Sequence, residues 1–286
     1  MDATLAHSRL SGDLLERHVQ LACLLEVSAA KPGNITPAHD FADATYADMV
    51  RSALALGAAF ARRRARRRTV GELIADGVEA TARVAAANTN LGIVLLFAPM
   101  VRAAVTRRDN EPLRSAVEKT LLGLDVEDAV AAFGAIARAN PGGLGEAPDH
   151  DVRAPARVSL REAMAAAAHR DSIASEYATG YAIVFEGGLP LLEHALQGGL
   201  STLDAIVSLH VGLLASRPDT LIARKAGHAA AEAVSAAARE VREGTRSLED
   251  FDAALRSADN RLNPGTTADL AAGTLLAALL SGMRLP

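Results

Sequence analysis

The stretch Thr69-Val70-Gly71-Glu72-Leu73-Ile74-Ala75-Asp76-Gly77-Val78-Glu79-Ala80-Thr81-Ala82-Arg83-Val84-Ala85 decides the fold class. A Thr with Glu three residues on is a capping box, in which each side chain satisfies a free backbone N–H at the start of a helix. Ile74, Val78, Ala82 and Ala85 then recur at the spacing that lines one helical face. The signature repeats outward from here. Ser159 with Glu162 opens an Ala-rich stretch, and Ser201 with Asp204 and Ser247 with Asp250 are weaker versions. Towards the N-terminus, Asp13 precedes Leu14, Leu15, Val19 and Ala22, a further apolar face. Lys31-Pro32-Gly33-Asn34, Asn140-Pro141-Gly142-Gly143, Gly187-Gly188, Gly198-Gly199, Arg217-Pro218 and Asn263-Pro264-Gly265 read as breaks between helices. No alternating strand pattern and no repeat of fixed period interrupts this. The sequence predicts an all-α fold, one globular domain over residues 1–286 with about ten helices.

Composition agrees. Half of the residues are hydrophobic but only 3% are aromatic, and there is no Trp. Such a core suits helices, for which Ala has the best intrinsic propensity, better than a sandwich or barrel. The net charge of −4 and pI near 6.1 give no reason to expect nucleic-acid binding. The single Cys23 excludes an internal disulfide framework. The first nine residues lack the apolar run of a signal peptide. The longest apolar stretches, Leu91–Val101 and the segment around Leu275–Leu280, fall short of the roughly 18–20 residues of a membrane span. The expectation is a cytoplasmic protein without membrane or nucleic-acid partners, whose Ala-rich helices suit a homodimer. The basic run Arg62–Arg68 reads as the solvated end of a helix, with phosphate binding as the other use.

Four polar clusters stand out from the Ala and Leu. In the first, Glu26 and Lys31-Pro32-Gly33-Asn34 are followed by His39-Asp40-Phe41-Ala42-Asp43. A lysine and a Gly-Asn turn beside carboxylates can hold phosphate, with Asp40 and Asp43 available to Mg²⁺. The same residues also spell a helix C-cap, a loop and an Asp N-cap. The second is Asn88-Thr89-Asn90-Leu91-Gly92. Buried amides need partners, so its Asn residues imply a bonded turn or a ligand. The third is Asp149-His150-Asp151, a proton shuttle or metal ligand on one reading and a solvated loop on the other. The fourth joins Pro218-Asp219-Thr220-Leu221-Ile222-Ala223-Arg224-Lys225 to Asn263-Pro264-Gly265-Thr266-Thr267-Ala268-Asp269. Each part opens a helix. Asp219 and Thr267 fit as N-caps, whereas Asp269 lies inside the first turn of an apolar helix.

The order and identity of these clusters resemble the triphosphoribosyl-dephospho-CoA synthase family along nearly the whole chain. The residues that carry the resemblance are Glu26, Lys31-Pro32-Gly33-Asn34, His39 with Asp40, Asn88-Thr89-Asn90-Leu91-Gly92, Asp219-Thr220 with Lys225, and Pro264-Gly265-Thr266-Thr267-Ala268-Asp269-Leu270. The resemblance implies an all-helical transferase that breaks the N-glycosidic bond of ATP, releases adenine and joins triphosphoribose to the 2′-hydroxyl of 3′-dephospho-CoA. ATP is a β-glycoside and the family product is α-linked, which implies one inverting displacement. That reaction needs a base for the acceptor hydroxyl, neutralisation of the triphosphate, and a proton for the leaving base. On this resemblance Asp40, Asp43 and Asp269 are expected to serve Mg²⁺ and the triphosphate, with Lys31 and Lys225 supplying charge. Glu26 is the expected base, and Asn88 and Asn90 would hold ribose hydroxyls or base edges. Gly33, Asn34, His39, Asp219, Gly265, Thr266 and Thr267 would complete the ATP and phosphate site, and His150 is a further candidate for proton transfer to adenine.

The chain departs from the family pattern where Asn90 and Leu91 replace a His-Lys pair and Leu221 replaces an Asn. These departures open other readings. One is the same α-ribosyl transfer to a ribitol-bearing pterin in the biosynthesis of tetrahydromethanopterin-type coenzymes. A second is N-ribosyl hydrolysis, since Gly265–Gly273 is similar to a segment of the ADP-ribosylglycohydrolases. A third is a non-catalytic helical scaffold.

Overall fold

The computed structural model describes residues 12–85, 90–139 and 150–285. These contain fifteen α-helices, one π-helical segment and no strand. In chain order they are α1 (Gly12–Ser28), α2 (Tyr46–Ala59), α3 (Arg62–Ala65), α4 (Val70–Ala82), α5 (Leu91–Thr106), α6 (Leu113–Leu122), α7 (Val126–Ala139), α8 (Leu160–Ala167) and α9 (Ser172–Thr179). The π segment (Ile183–Gly188) runs into α10 (Leu189–Gln197), followed by α11 (Thr202–Ser216), α12 (Thr220–Ala226), α13 (His228–Arg242), α14 (Leu248–Leu255) and α15 (Gly265–Leu280).

The expected starts are in place. Thr69 and Ser159 form complete capping boxes with Glu72 and Glu162, and Ser201 and Ser247 cap α11 and α14. Fifteen helices replace the expected ten because several are short. The Ala-rich stretch after Ser159, for example, is cut where Asp171 Oδ1 accepts the N–H groups of Ile173 and Ala174 and starts α9. Gly187-Gly188 is not a break. The backbone continues through it into α10, and Gly188 instead lets Thr274 approach, where an added Cβ would lie 2.1 Å from the threonine hydroxyl. Asn140-Pro141-Gly142-Gly143 lies outside the described residues.

The two long apolar stretches of the sequence are α5 and α15, each buried over most of its circumference, as expected of central helices. No described helix is long and apolar enough to cross a membrane. Helices α1, α4, α6, α9 and α11 and the π segment pack around this pair. A second, smaller core forms between α11, α12, α13 and α14 around Leu214, Ile222, Val234, Phe251 and Leu255. Of the arginine run, Arg68 pairs with Glu72 at 2.9 Å and Asp76 at 3.2 Å, while Arg63, Arg64, Arg66 and Arg67 lie exposed.

Pro99 sits inside α5 and cannot donate to Leu95 O one turn earlier. The Tyr177 hydroxyl donates to that carbonyl at 2.7 Å, and the Tyr181 hydroxyl donates to Leu96 O, also at 2.7 Å. Both phenols are fully buried, so these bonds are the partners that burial requires. Tyr181 reaches its carbonyl from a left-handed backbone, φ +61°, directly after Gly180 at φ +66°. The π segment that follows has its first N–H groups taken by buried Glu176, whose Oε1 accepts from Ile183 at 2.8 Å and Oε2 from Val184 at 3.0 Å. Desolvation pushes the Glu176 carboxyl up to about 7, against the pull of those two N–H groups and of Arg217 and Arg114.

Tyr177→Phe lowers stability by about 1–2 kcal/mol in denaturant unfolding, and the cost shrinks in a Pro99→Ala background, where residue 99 regains its N–H. For Glu176 the folded-state pKa is the raised one, so the carboxyl contributes fully below the ordinary glutamate value. Measured against Glu176→Gln, that contribution is lost as the pH rises through about 7, a swing of about 3 kcal/mol.

Candidate active site

Five stretches of chain meet at one place. The C-terminal end of α1 brings Glu26 and the turn to Asn34. The N-termini of α5, α9, α12 and α15 bring Asn90 to Gly92, Asp171 to Ile173, Asp219 to Arg224, and Asn263 to Asp269. The contacts that join them are specific. Asn34 Nδ2 donates to Asn263 Oδ1 at 2.5 Å, and Gly33 N donates to Asp252 Oδ1 at 2.7 Å. Gly33 takes φ +73° with Leu255 and Pro264 so close that any side chain would collide. Thr220 Oγ1 lies 3.2 Å from Thr266 Oγ1 and accepts from Ser172 N at 3.4 Å. A Cβ on Gly92 would sit 1.9 Å from Asp269 Oδ2 and 2.7 Å from Ile173 Cδ1, so the carboxylate lies directly on the first turn of α5.

Four carboxylates gather here, three of them with partners. Glu26 is buried and paired with Lys31 at 2.9 Å. Asp219, also buried, accepts four bonds: Leu221 N at 2.8 Å, Ile222 N at 3.0 Å, Thr267 N at 2.7 Å and Thr267 Oγ1 at 2.7 Å. Its carboxyl is pushed up by desolvation, and these donors oppose the shift. Asp171 caps α9 with one oxygen and meets Arg224 Nη1 at 2.6 Å with the other. Asp269 has no hydrogen bond or ion pair among the described residues. Its carboxyl is held well above the ordinary range by desolvation, then by the charges of Glu26, Asp219 and Asp171, with Arg224 pulling the other way. Such a group is short of positive charge.

The expected residues divide accordingly. Glu26, Lys31, Gly33, Asn34, Asn90, Asp219, Gly265, Thr266, Thr267 and Asp269 all belong to this convergence. Lys31, however, is completely enclosed, and its ammonium is directed at Glu26 O, Glu26 Oε1 and Ala29 O. The Asn90 side chain is buried, with its Nδ2 lacking a partner among the described residues, although the residue stands at the start of α5. His39, Asp40 and Asp43 are exposed on the loop before α2, where Asp40 Oδ1 accepts Tyr46 N at 2.7 Å. No hydrogen bond or ion pair joins that loop's acids to the cluster among the described residues. Nor do three His, Cys, Asp or Glu side chains stand where they could hold one metal ion among those residues, so Asp40, Asp43 and Asp269 form no ready-made cage. His150 is exposed near Glu162, at the start of α8. Lys225 is exposed, because neighbouring residues on a helix point about 100° apart and Arg224 takes the inner direction. Asn88 lies outside the described residues.

Three contributors were not among the expected site residues, although Arg224 stands in the fourth cluster. Asp171 and Arg224 form the half-exposed ion pair, and the only sequence signal for Asp171 was an acid breaking an Ala-rich run. Buried His210 on α11 has no partner for either ring nitrogen among the described residues; burial and then the charge of Lys31 hold its pKa well below the usual value.

The family model described as ATP:dephospho-CoA triphosphoribosyl transferase matches residues 13–285. The chain belongs to this family. The triphosphoribosyl transferase resemblance carried by the sequence clusters is thus established over nearly the whole chain, and the protein is a transferase. Among solved structures, a candidate triphosphoribosyl-dephospho-CoA synthase from Archaeoglobus fulgidus is similar, with TM-score 0.65 and 28% identity over 82% of this chain and 99% of that one. A comparison with curated proteins finds no match. In this transferase the contact between Gly92 and Asp269 generates a prediction. Gly92→Ala must displace the carboxylate, so helical circular dichroism persists while adenine release from ATP falls by about two orders of magnitude or more.

Proposed function

We propose that this transferase moves the triphosphoribosyl group of ATP onto a hydroxyl of 3′-dephospho-CoA, with the carboxylate cluster around Asp269 as its centre. The observation that carries this is Asp269, which among the described residues has no partner beside three satisfied carboxylates, in a chain of this family. A carboxylate that is short of positive charge fits a Mg²⁺ that arrives with the nucleotide, because Mg²⁺ is usually held by one or two carboxylates together with substrate phosphates. When bound, the ion would neutralise the triphosphate. Asp269 would hold it, and neither Asp40 nor Asp43 is needed.

The chain's own residues supply the rest. Glu26, fixed by Lys31, takes the proton of the acceptor hydroxyl as its oxygen forms the bond to ribose C1′. The bond from C1′ to adenine N9 breaks on the opposite face, and adenine leaves with the electron pair and takes its proton from solvent. The configuration inverts in this single displacement. Asn90 Nδ2, which has no partner among the described residues, donates to a ribose hydroxyl. Lys31 acts through Glu26, since it reaches no surface of its own.

One observation favours a second acceptor. The residues that depart from the family pattern, Asn90, Leu91 and Leu221, all fall at the convergence. Asn90 and Leu91 immediately precede Gly92, which meets Asp269, and Leu221 packs on Gly265. A changed site accommodates a changed acceptor, such as the hydroxyl of a ribitol-bearing pterin.

The test is to incubate the purified protein with Mg-ATP and each acceptor, following adenine and adducts by chromatography and mass spectrometry. The expected result is adenine with a matching triphosphoribosyl adduct, reduced at least about a hundredfold in Asp269→Asn. Free ribose triphosphate in place of an adduct identifies a hydrolase, and full activity in Asp269→Asn removes Asp269 from the centre.

A further inference from the structure

Among the described cations at this convergence, Arg224 is the one that keeps both exposure and unused donors, since Arg256 spends Nε and both terminal nitrogens on Asp252 and Asn34 O. Lys31 is sealed in the interior, and Lys225 points away on the outer side of α12. The Arg224 side chain keeps 27% of its exposure, as does Asp171 beside it. A guanidinium carries five N–H donors in a planar fork. Among the described residues Arg224 uses one, the 2.6 Å bond from Nη1 to Asp171 Oδ2.

Its position is fixed at both ends. Asp171 is tied to the backbone of α9 through its other oxygen, which accepts Ile173 N at 2.9 Å and Ala174 N at 3.1 Å. The helix that carries Arg224 begins at Asp219, which also grips Thr267, two residues before Asp269. The fork and the Asp269 carboxylate are therefore mounted on one braced unit, and the charge of Arg224 is felt at Asp269. A half-exposed, pre-aimed guanidinium with unused donors matches a phosphate, which a fork meets with two parallel bonds and an ammonium meets only as a point charge.

We infer that Arg224, aimed by Asp171, is the residue that grips a substrate phosphate in this site. This rests on the transferase reading above for the location of the substrates. Both substrates carry phosphate, the donor as a triphosphate and the acceptor as a diphosphate, and Arg224 serves one of them.

Calorimetric titration with inorganic tripolyphosphate, ATP and dephospho-CoA separates the possibilities. Arg224→Gln is expected to weaken one set of probes roughly tenfold or more. Loss for tripolyphosphate and ATP assigns the contact to the donor, and loss confined to dephospho-CoA assigns it to the acceptor. Arg224→Lys keeps the charge without the fork and is expected to weaken the same set severalfold. It carries the test alone if the glutamine variant loses its helical signal. Unchanged affinity of both variants for all three probes overturns the assignment. So does a larger loss in Lys225→Gln than at Arg224, or the absence of wild-type binding to any probe. Wild-type protein that binds phosphate through Arg224 yet releases no adenine keeps this contact and overturns the catalytic reading instead.

Discussion

Asp219 accepts two bonds at each oxygen, one pair from the first turn of α12 and one from the first turn of α15. A buried carboxylate in this state is stable only while all four donors stay aimed at it, because losing any one exposes a desolvation cost that nothing offsets. Two helices whose starts lie 45 residues apart are thereby locked end to end. The Thr220 and Thr266 hydroxyls lie beside that lock, Arg224 one turn along α12, and Asp269 within the first turns of α15. The cluster's geometry depends on this carboxylate more than on any residue that would touch a substrate.

The helical class was legible because its signals are local. A capping box needs only Thr69 and Glu72, or Ser159 and Glu162, and both formed as the spacing required. Part of the candidate site was legible for a related reason: Glu26, Asn90, Asp219 and Asp269 are polar residues in apolar company, and burial of such residues demands a purpose. What the sequence concealed is direction. Arg224 and Lys225 are equivalent by charge and adjacent in the chain, yet only the helix phase, set by the Asp219 cap, decides which faces inward. His39, Asp40 and Asp43 follow the Lys-Pro-Gly-Asn turn closely in sequence, but the Thr36–His39 bridge turns the chain away and they end in solvent. Asp171 was invisible because its significance lies in a partner 53 residues away.

The core shows the same division between local signal and distant consequence. Pro99 is a plain irregularity in the sequence of α5, but its repair by the Tyr177 hydroxyl comes from another helix. The left-handed backbone at Tyr181 delivers a second phenol to the next carbonyl and then launches the π segment under Glu176. These bonds brace α5 against α9, the two helices whose first turns hold Gly92 and Asp171.

Helix α15 is one of the two central helices, and it is also the last of these segments to be made. As the chain grows on a ribosome, α1, α5 and the π segment must therefore wait with their apolar faces uncovered until α15 can slide between them. Carboxylates and cations drawn from five separated stretches likewise have no shared location before that moment. The candidate site stays unassembled until α15 docks, and for these segments the period of greatest exposure to aggregation and to chaperone capture is the interval just before.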